Sequence, residues 1–130
     1  MTKVYFLGGL GSNQYHSQDL LNALPFPVTF LDLPGHGTAR DTVVKNKDDL
    51  ITWFSNNVNI ESPIILIGHS IGASLAAFLA SRIKSIQQVI LLDGAYMDIH
   101  QLCSLEDELH ETAQFLENTT YSTIEAAIQE

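Results

Sequence analysis

The chain has 130 residues, 45% of them apolar, and a formal net charge of −9. That length permits one domain, and the apolar share is enough to fill one core. An acidic balance of this size disfavours nucleic acid and anionic membrane as partners, since both carry the same sign.

The charge is unevenly placed. Residues 1–93 carry six basic and seven acidic side chains, whereas residues 94–130 carry eight acidic and no basic ones. The change near residue 94 divides a core, 1–93, from an acidic helical segment, 94–130. No apolar run approaches the length that spans a bilayer, and Met1-Thr2-Lys3 leads into a strand without a signal-peptide h-region. The one cysteine, Cys103, cannot form an internal disulfide and reads as a small polar-loop or packing residue. A reducing cytoplasm is the expected compartment.

In chain order, Lys3–Leu7 is predicted as a strand, and Gln14–Leu24 as a helix with Leu20, Leu21 and Leu24 on one side. Pro27–Asp32 is a second strand, ended by the turn Leu33-Pro34-Gly35-His36-Gly37. Asn46 and Asp49 have N-cap spacing and open a helix that runs through Leu50, Ile51 and Phe54 to Val58. Pro63–Ile67 is a third strand, Ala73–Ile83 its helix, and Gln88–Asp93 a fourth strand. Continuously apolar strands alternating with helices predict an α/β fold, a parallel sheet with helices on both faces. Two helical patterns follow, Leu105–Leu116 and Thr123–Gln129, the second with Ser122 and Glu125 in capping-box spacing.

The chemistry concentrates in Gly68-His69-Ser70-Ile71-Gly72, directly after the third strand and opening a helix. A serine held in so tight a strand-to-helix turn has its hydroxyl lifted clear of the sheet. Gly68 and Gly72 are required because a Cβ at either would strike a neighbouring element. The helix N-terminus beneath the turn offers unpaired N–H groups to a developing negative charge.

Three stretches together resemble the first part of an α/β-hydrolase, of the serine esterase and lipase type. Gly68–Gly72 is similar to that family's nucleophile elbow, Leu33–Gly37 to its Gly-His-Gly turn, and Leu7-Gly8-Gly9-Leu10-Gly11-Ser12 to its oxyanion loop. Gly8 stands where the family has a loop-bracing histidine. The resemblance implies Ser70 as nucleophile, with the backbone N–H groups of Leu10 and Ile71 as oxyanion donors. It implies a small acyl ester or thioester as substrate, and neither a metal nor an organic cofactor.

The rest of the triad is harder to find. His69 precedes the serine and should point away from it, in a packing role. His36 reads as a residue that holds loops together and His16 as a surface or rim residue; His100 and His110 fall in the acidic tail, where His110 reads as solvated. None stands after a last strand, where the resemblance would put the catalytic histidine, so the base is unassigned. Asp98, after the fourth strand, is a candidate acid, while Asp93 reads as a turn former. The sequence is expected to stop inside the lid region, an N-terminal portion whose fourth strand lies at an edge. Self-association or a completing polypeptide is therefore expected.

Two other functions fit part of the pattern. A non-catalytic α/β-hydrolase-like protein could keep the fold to bind an apolar ligand or a partner. Gly9-Leu10-Gly11, with Asp32 ending the next strand, imitates a dinucleotide-binding fingerprint. That fingerprint would need a third glycine where the chain has Gln14, and it leaves Gly68–Gly72 unexplained.

Overall fold

The computed structural model describes residues 1–94, 110, 113–114, 117–118 and 122–128. The chain divides into two compact units, Met1–Tyr96 and Met97–Glu130. In the first, β1 (Lys3–Leu7) forms where Val4, Tyr5 and Phe6 supply branched and aromatic side chains that suit a pleated surface. It lies between β2 (Thr29–Leu31) and β3 (Ile64–His69), and β4 (Ile86–Leu92) extends the sheet beyond β3. All three pairings are parallel. This is the parallel α/β sheet with helices that the sequence pattern predicts.

Several bounds differ from expectation, each for a local reason. β2 is shorter than 27–32, because Pro27 has no N–H to donate and Asp32 serves the loops instead. The first helix, α1 (Gln18–Ala23), starts at Gln18 rather than Gln14. Asn13 Oδ1 accepts the Tyr15 amide at 2.9 Å, and the Gln14 amide donates to Asp32 Oδ1 at 3.2 Å. Those bonds hold the chain in a turn before the helix can begin. α1 buries none of its side chains, so Leu20, Leu21 and Leu24 do not anchor it in the core.

α2 (Lys47–Asn57) begins where its cap pair indicates. Asn46 Oδ1 accepts the Asp49 amide at 2.8 Å, and Asp49 Oδ2 accepts the Lys45 amide at 3.0 Å. A cap of this kind contributes about 1 kcal/mol. β3 runs on to His69 and α3 (Ile71–Arg82) starts at Ile71, earlier than the predicted Ala73. Ser70 alone separates strand from helix. β4 starts at Ile86, and its register against β3 passes from Ile64↔Ile86 to Ile65↔Gln88, which leaves Gln87 as a bulge.

The core forms on one face of the sheet. Tyr5, Leu7, Ile64 and Leu66 meet Leu50, Trp53 and Phe54 of α2 and Ala76 and Leu79 of α3. Phe54, Leu7, Ile64, Leu66 and Leu79 are fully buried, each worth about 1.5–3 kcal/mol over an exposed side chain. On the other face Phe6 stacks on Phe30 with ring centroids 5.6 Å apart. Among the described residues β4 pairs only with β3, and Ile90, Leu91 and Leu92 are exposed.

In the second unit, α4 (Ile124–Ile128) is capped by Thr123, whose Oγ1 accepts the Ala126 amide at 3.1 Å. The cap is therefore one residue later than the expected Ser122. Of the predicted helix 105–116, His110, Ala113 and Gln114 are described and are helical and exposed. The remainder lies outside the described residues, as do Asp98, His100 and Cys103. No helix among the described residues is long and apolar enough to cross a membrane.

Candidate functional site

The strand order β2-β1-β3-β4 makes the chain reverse direction across the sheet between β1 and β3. In open α/β sheets the loops at the carboxyl ends of two such strands diverge and leave a crevice. Gly8 and Gly9 follow β1 there, and Ser70 follows His69, the last residue of β3. Residues far apart in sequence thus meet at one place.

Ser70 is an exposed residue with φ 57° and ψ −120°. That conformation is costly for any residue with a Cβ, of the order of 1–3 kcal/mol, and persists only where the surroundings enforce it. Here they do. The Ser70 amide donates to Leu92 O at 2.9 Å, and Ser70 O accepts the first helical bond, from Ala73 at 3.0 Å. The side chain makes no capping bond to α3, so its hydroxyl is not used to start the helix.

The flanking glycines are set by backbone contacts. A Cβ on Gly68 would strike Gly72 O and lie 2.6 Å from Ala73 Cα; one on Gly72 would strike Leu7 O and lie 2.7 Å from Leu7 C. Neither neighbour is a flexible side chain that could move aside. α3 can therefore dock on the ends of β1 and β3 only with glycine at both positions.

The loop after β1 lies against the serine. A Cβ built on Gly9 would be 3.5 Å from Ser70 Cβ and 3.4 Å from His69 Nδ1. Ser12 N donates to Gly9 O at 3.1 Å, closing a turn with Leu10 near its tip, 75% exposed. Neither the Leu10 nor the Ile71 amide donates a hydrogen bond among the described residues. The packing role expected for His69 is not a core role: the residue is exposed and its ring lies beside Gly9.

Two side chains from the region after β2 hold that loop, and the sequence pattern assigned that task to His36 alone. His36 Nε2 accepts the Gly11 amide at 2.8 Å, and His36 Nδ1 donates to Pro34 O at 3.0 Å. His36 does hold loops together, and with both ring nitrogens engaged it is not free to serve as a base. Asp32 Oδ2 accepts both the amide and the hydroxyl of Thr38 at 2.9 Å, and Oδ1 accepts from Gln14. A carboxylate so occupied is not presented to a ribose, which removes the main support for the dinucleotide reading. Phe30 explains Gly8: a Cβ there would lie 2.7 Å from Phe30 Cζ, so the stacked ring fills the space that a side chain would need.

After β4, Asp93 turns the chain with φ 52°, as its position suggested. The next residue, Gly94, was not singled out by any sequence signal. A Cβ on it would strike Ser70 O and lie 3.0 Å from Ala73 Cβ, so the chain leaving β4 passes directly over the serine turn. His16 is exposed, and a hollow of about 220 Å³ lined by Gln14, Phe30, Asp32, Thr38, Trp53 and Asn57 does not include Ser70. Among the described residues no group of three or more His, Cys, Asp or Glu side chains could hold a metal ion.

Comparison with known proteins agrees with this geometry. A family model described as "Alpha/beta hydrolase family" matches residues 4–122. A pimeloyl-[acyl-carrier protein] methyl ester esterase of Neisseria meningitidis serogroup B is 37% identical over 82 residues, 62% of this chain and 31% of that protein. A 2-succinyl-6-hydroxy-2,4-cyclohexadiene-1-carboxylate synthase of Klebsiella pneumoniae is 30% identical over 95 residues, 70% of this chain and 37% of that protein. The synthase of the same name from Enterobacter is 26% identical over 116 residues, 86% of this chain and 45% of that protein. The chain spans less than half the length of these curated relatives. With a serine turn between β3 and α3 and a family match over nearly all its residues, the chain belongs to the α/β-hydrolase family.

Proposed function

We propose that the chain carries the nucleophile half of a serine hydrolase acting on a small carboxylic ester or thioester. The carrying observation is the backbone of Ser70, held at φ 57° between β3 and α3 with its hydroxyl uncommitted to the helix cap. In this mechanism Ser70 Oγ attacks the carbonyl carbon and the negative charge develops on the carbonyl oxygen. The amides of Leu10 and Ile71 are the donors for that oxygen, a donor of this type being worth about 3–4 kcal/mol of barrier. The C–O or C–S bond then breaks, and the alcohol or thiol leaves with the proton that Ser70 Oγ gave up. Water hydrolyses the acyl-Ser70 intermediate, releasing the acid and restoring the Ser70 hydroxyl.

Ester chemistry is supported by a relative whose name is a methyl ester esterase. A hydroxyl is a weak nucleophile without a base oriented by a carboxylate. Among the described residues no histidine or carboxylate hydrogen-bonds to Ser70, and Asp98 remains the candidate acid. Turnover by these 130 residues alone is accordingly expected to be low. One cysteine fits a reducing cytoplasm, and the exposed edge of β4 fits self-association or a completing polypeptide.

The test is labelling by a serine-directed fluorophosphonate, beside hydrolysis of a short-chain p-nitrophenyl ester. Ser70 should be the labelled residue, and Ser70→Ala should abolish both signals. The absence of a base among the described residues favours a second reading, an inert fold that binds an apolar ligand. A parent chain that neither labels nor hydrolyses, yet binds an apolar fluorescent probe, would favour that reading instead.

A further inference from the structure

We propose that His36 is a positioning residue for the oxyanion loop, holding the Leu10 amide over Ser70 by accepting the Gly11 amide on Nε2. The proposal rests on the reading of Ser70 as nucleophile, and it assigns a task to a side chain that takes no part in the proton transfers. Leu10 stands between two fixed points. On one side Gly9 lies against Ser70, its Cβ position 3.5 Å from Ser70 Cβ. On the other, Gly11 donates to His36 Nε2 at 2.8 Å.

Side-chain packing does little to restrain that outer limb. Leu10 is 75% exposed, so its side chain does not anchor the turn. Gly11 adopts φ 75°, and a Cβ there would have no atom within 4 Å. The turn is closed within itself by Ser12 N donating to Gly9 O at 3.1 Å. The bond to His36 is the first restraint on this side that ties it to another segment, with the Gln14–Asp32 bond the next.

The two bonds also settle the form of the imidazole. A backbone amide can only donate and a carbonyl can only accept, so Nε2 must be bare and Nδ1 must carry the proton. The Pro34 carbonyl therefore selects the tautomer that the Gly11 amide needs. Donor and acceptor atoms of the ring have separable tasks, which yields a discriminating pair of substitutions. His36→Gln extends an acceptor towards the Nε2 position, and His36→Asn keeps a donor near the Nδ1 position but no acceptor for Gly11.

The experiment measures the rate at which a fluorophosphonate phosphonylates Ser70, with loss of fluoride, in the parent chain and both variants, with thermal melts alongside. We expect His36→Asn to slow labelling by about tenfold to a hundredfold, the scale of a misplaced donor, and His36→Gln to stay close to the parent. Each variant gives up one hydrogen bond, so both should melt somewhat below the parent. Equal labelling rates in the two variants would overturn the positioning role while leaving Ser70 as the nucleophile. A parent chain that does not label would overturn the Ser70 reading and this role with it. Imidazole nitrogen shifts of the parent decide the matter even if a variant fails to fold: a proton on Nε2 overturns the proposal.

Discussion

The Ser70 amide donates to the carbonyl oxygen of Leu92 at 2.9 Å, so the end of β4 holds the turn that presents the serine hydroxyl. Two residues further on, Gly94 passes so close to Ser70 O that a Cβ would strike it. Gly94→Ala should therefore displace either the serine turn or the segment after β4. An overpacking cost of about 1–3 kcal/mol is expected in a urea titration, with slower fluorophosphonate labelling. Unchanged stability and labelling would mean that the close approach relaxes without consequence.

Backbone strain at Ser70 makes a separable prediction. Glycine accepts positive φ and alanine does not, so Ser70→Gly should be more stable than Ser70→Ala by about 1 kcal/mol. Both variants should lose all labelling. If the alanine variant proves the more stable of the two, the strained conformation is not the one present in solution.

Leu10 should act through its backbone rather than its side chain. With 75% of its surface exposed, Leu10→Ala should change substrate preference more than the acylation rate. Leu10→Pro removes the N–H and should slow acylation by about a hundredfold or more. Similar rates for the two variants would show that another group supplies the donor.

The edge that β4 presents among the described residues predicts association. Ile90 is 37% and Leu91 40% exposed, on a strand that is paired on one side only among the described residues. Sedimentation velocity should show a concentration-dependent increase in size, and Ile90→Lys should reduce it, because a charge on an edge strand opposes pairing. A parent chain that stays monomeric at all concentrations would contradict this.

Much of the scaffold was legible from local pattern. Apolar runs placed β1 and β3, and the Asn46 and Asp49 pair placed the start of α2, because those signals act within a few residues. The start of α1 was not legible, since Gln14 is held by Asp32, which lies in a different loop. The cap of α4 was misplaced by one residue because Ser122 and Thr123 have the same capping chemistry, and only the backbone chooses between them.

The sequence by itself determined that a serine stands between a buried strand and a helix, flanked by glycines that permit close packing. It did so because steric demands at a strand-to-helix turn are local. Only the tertiary structure decided what surrounds that serine. Gly94 over the serine turn, Phe30 in the space beside Gly8, and His36 under Gly11 are contacts between segments brought together by the order β2-β1-β3-β4. No periodicity or short spacing encodes such meetings, because they arise from the way the strands are laid side by side.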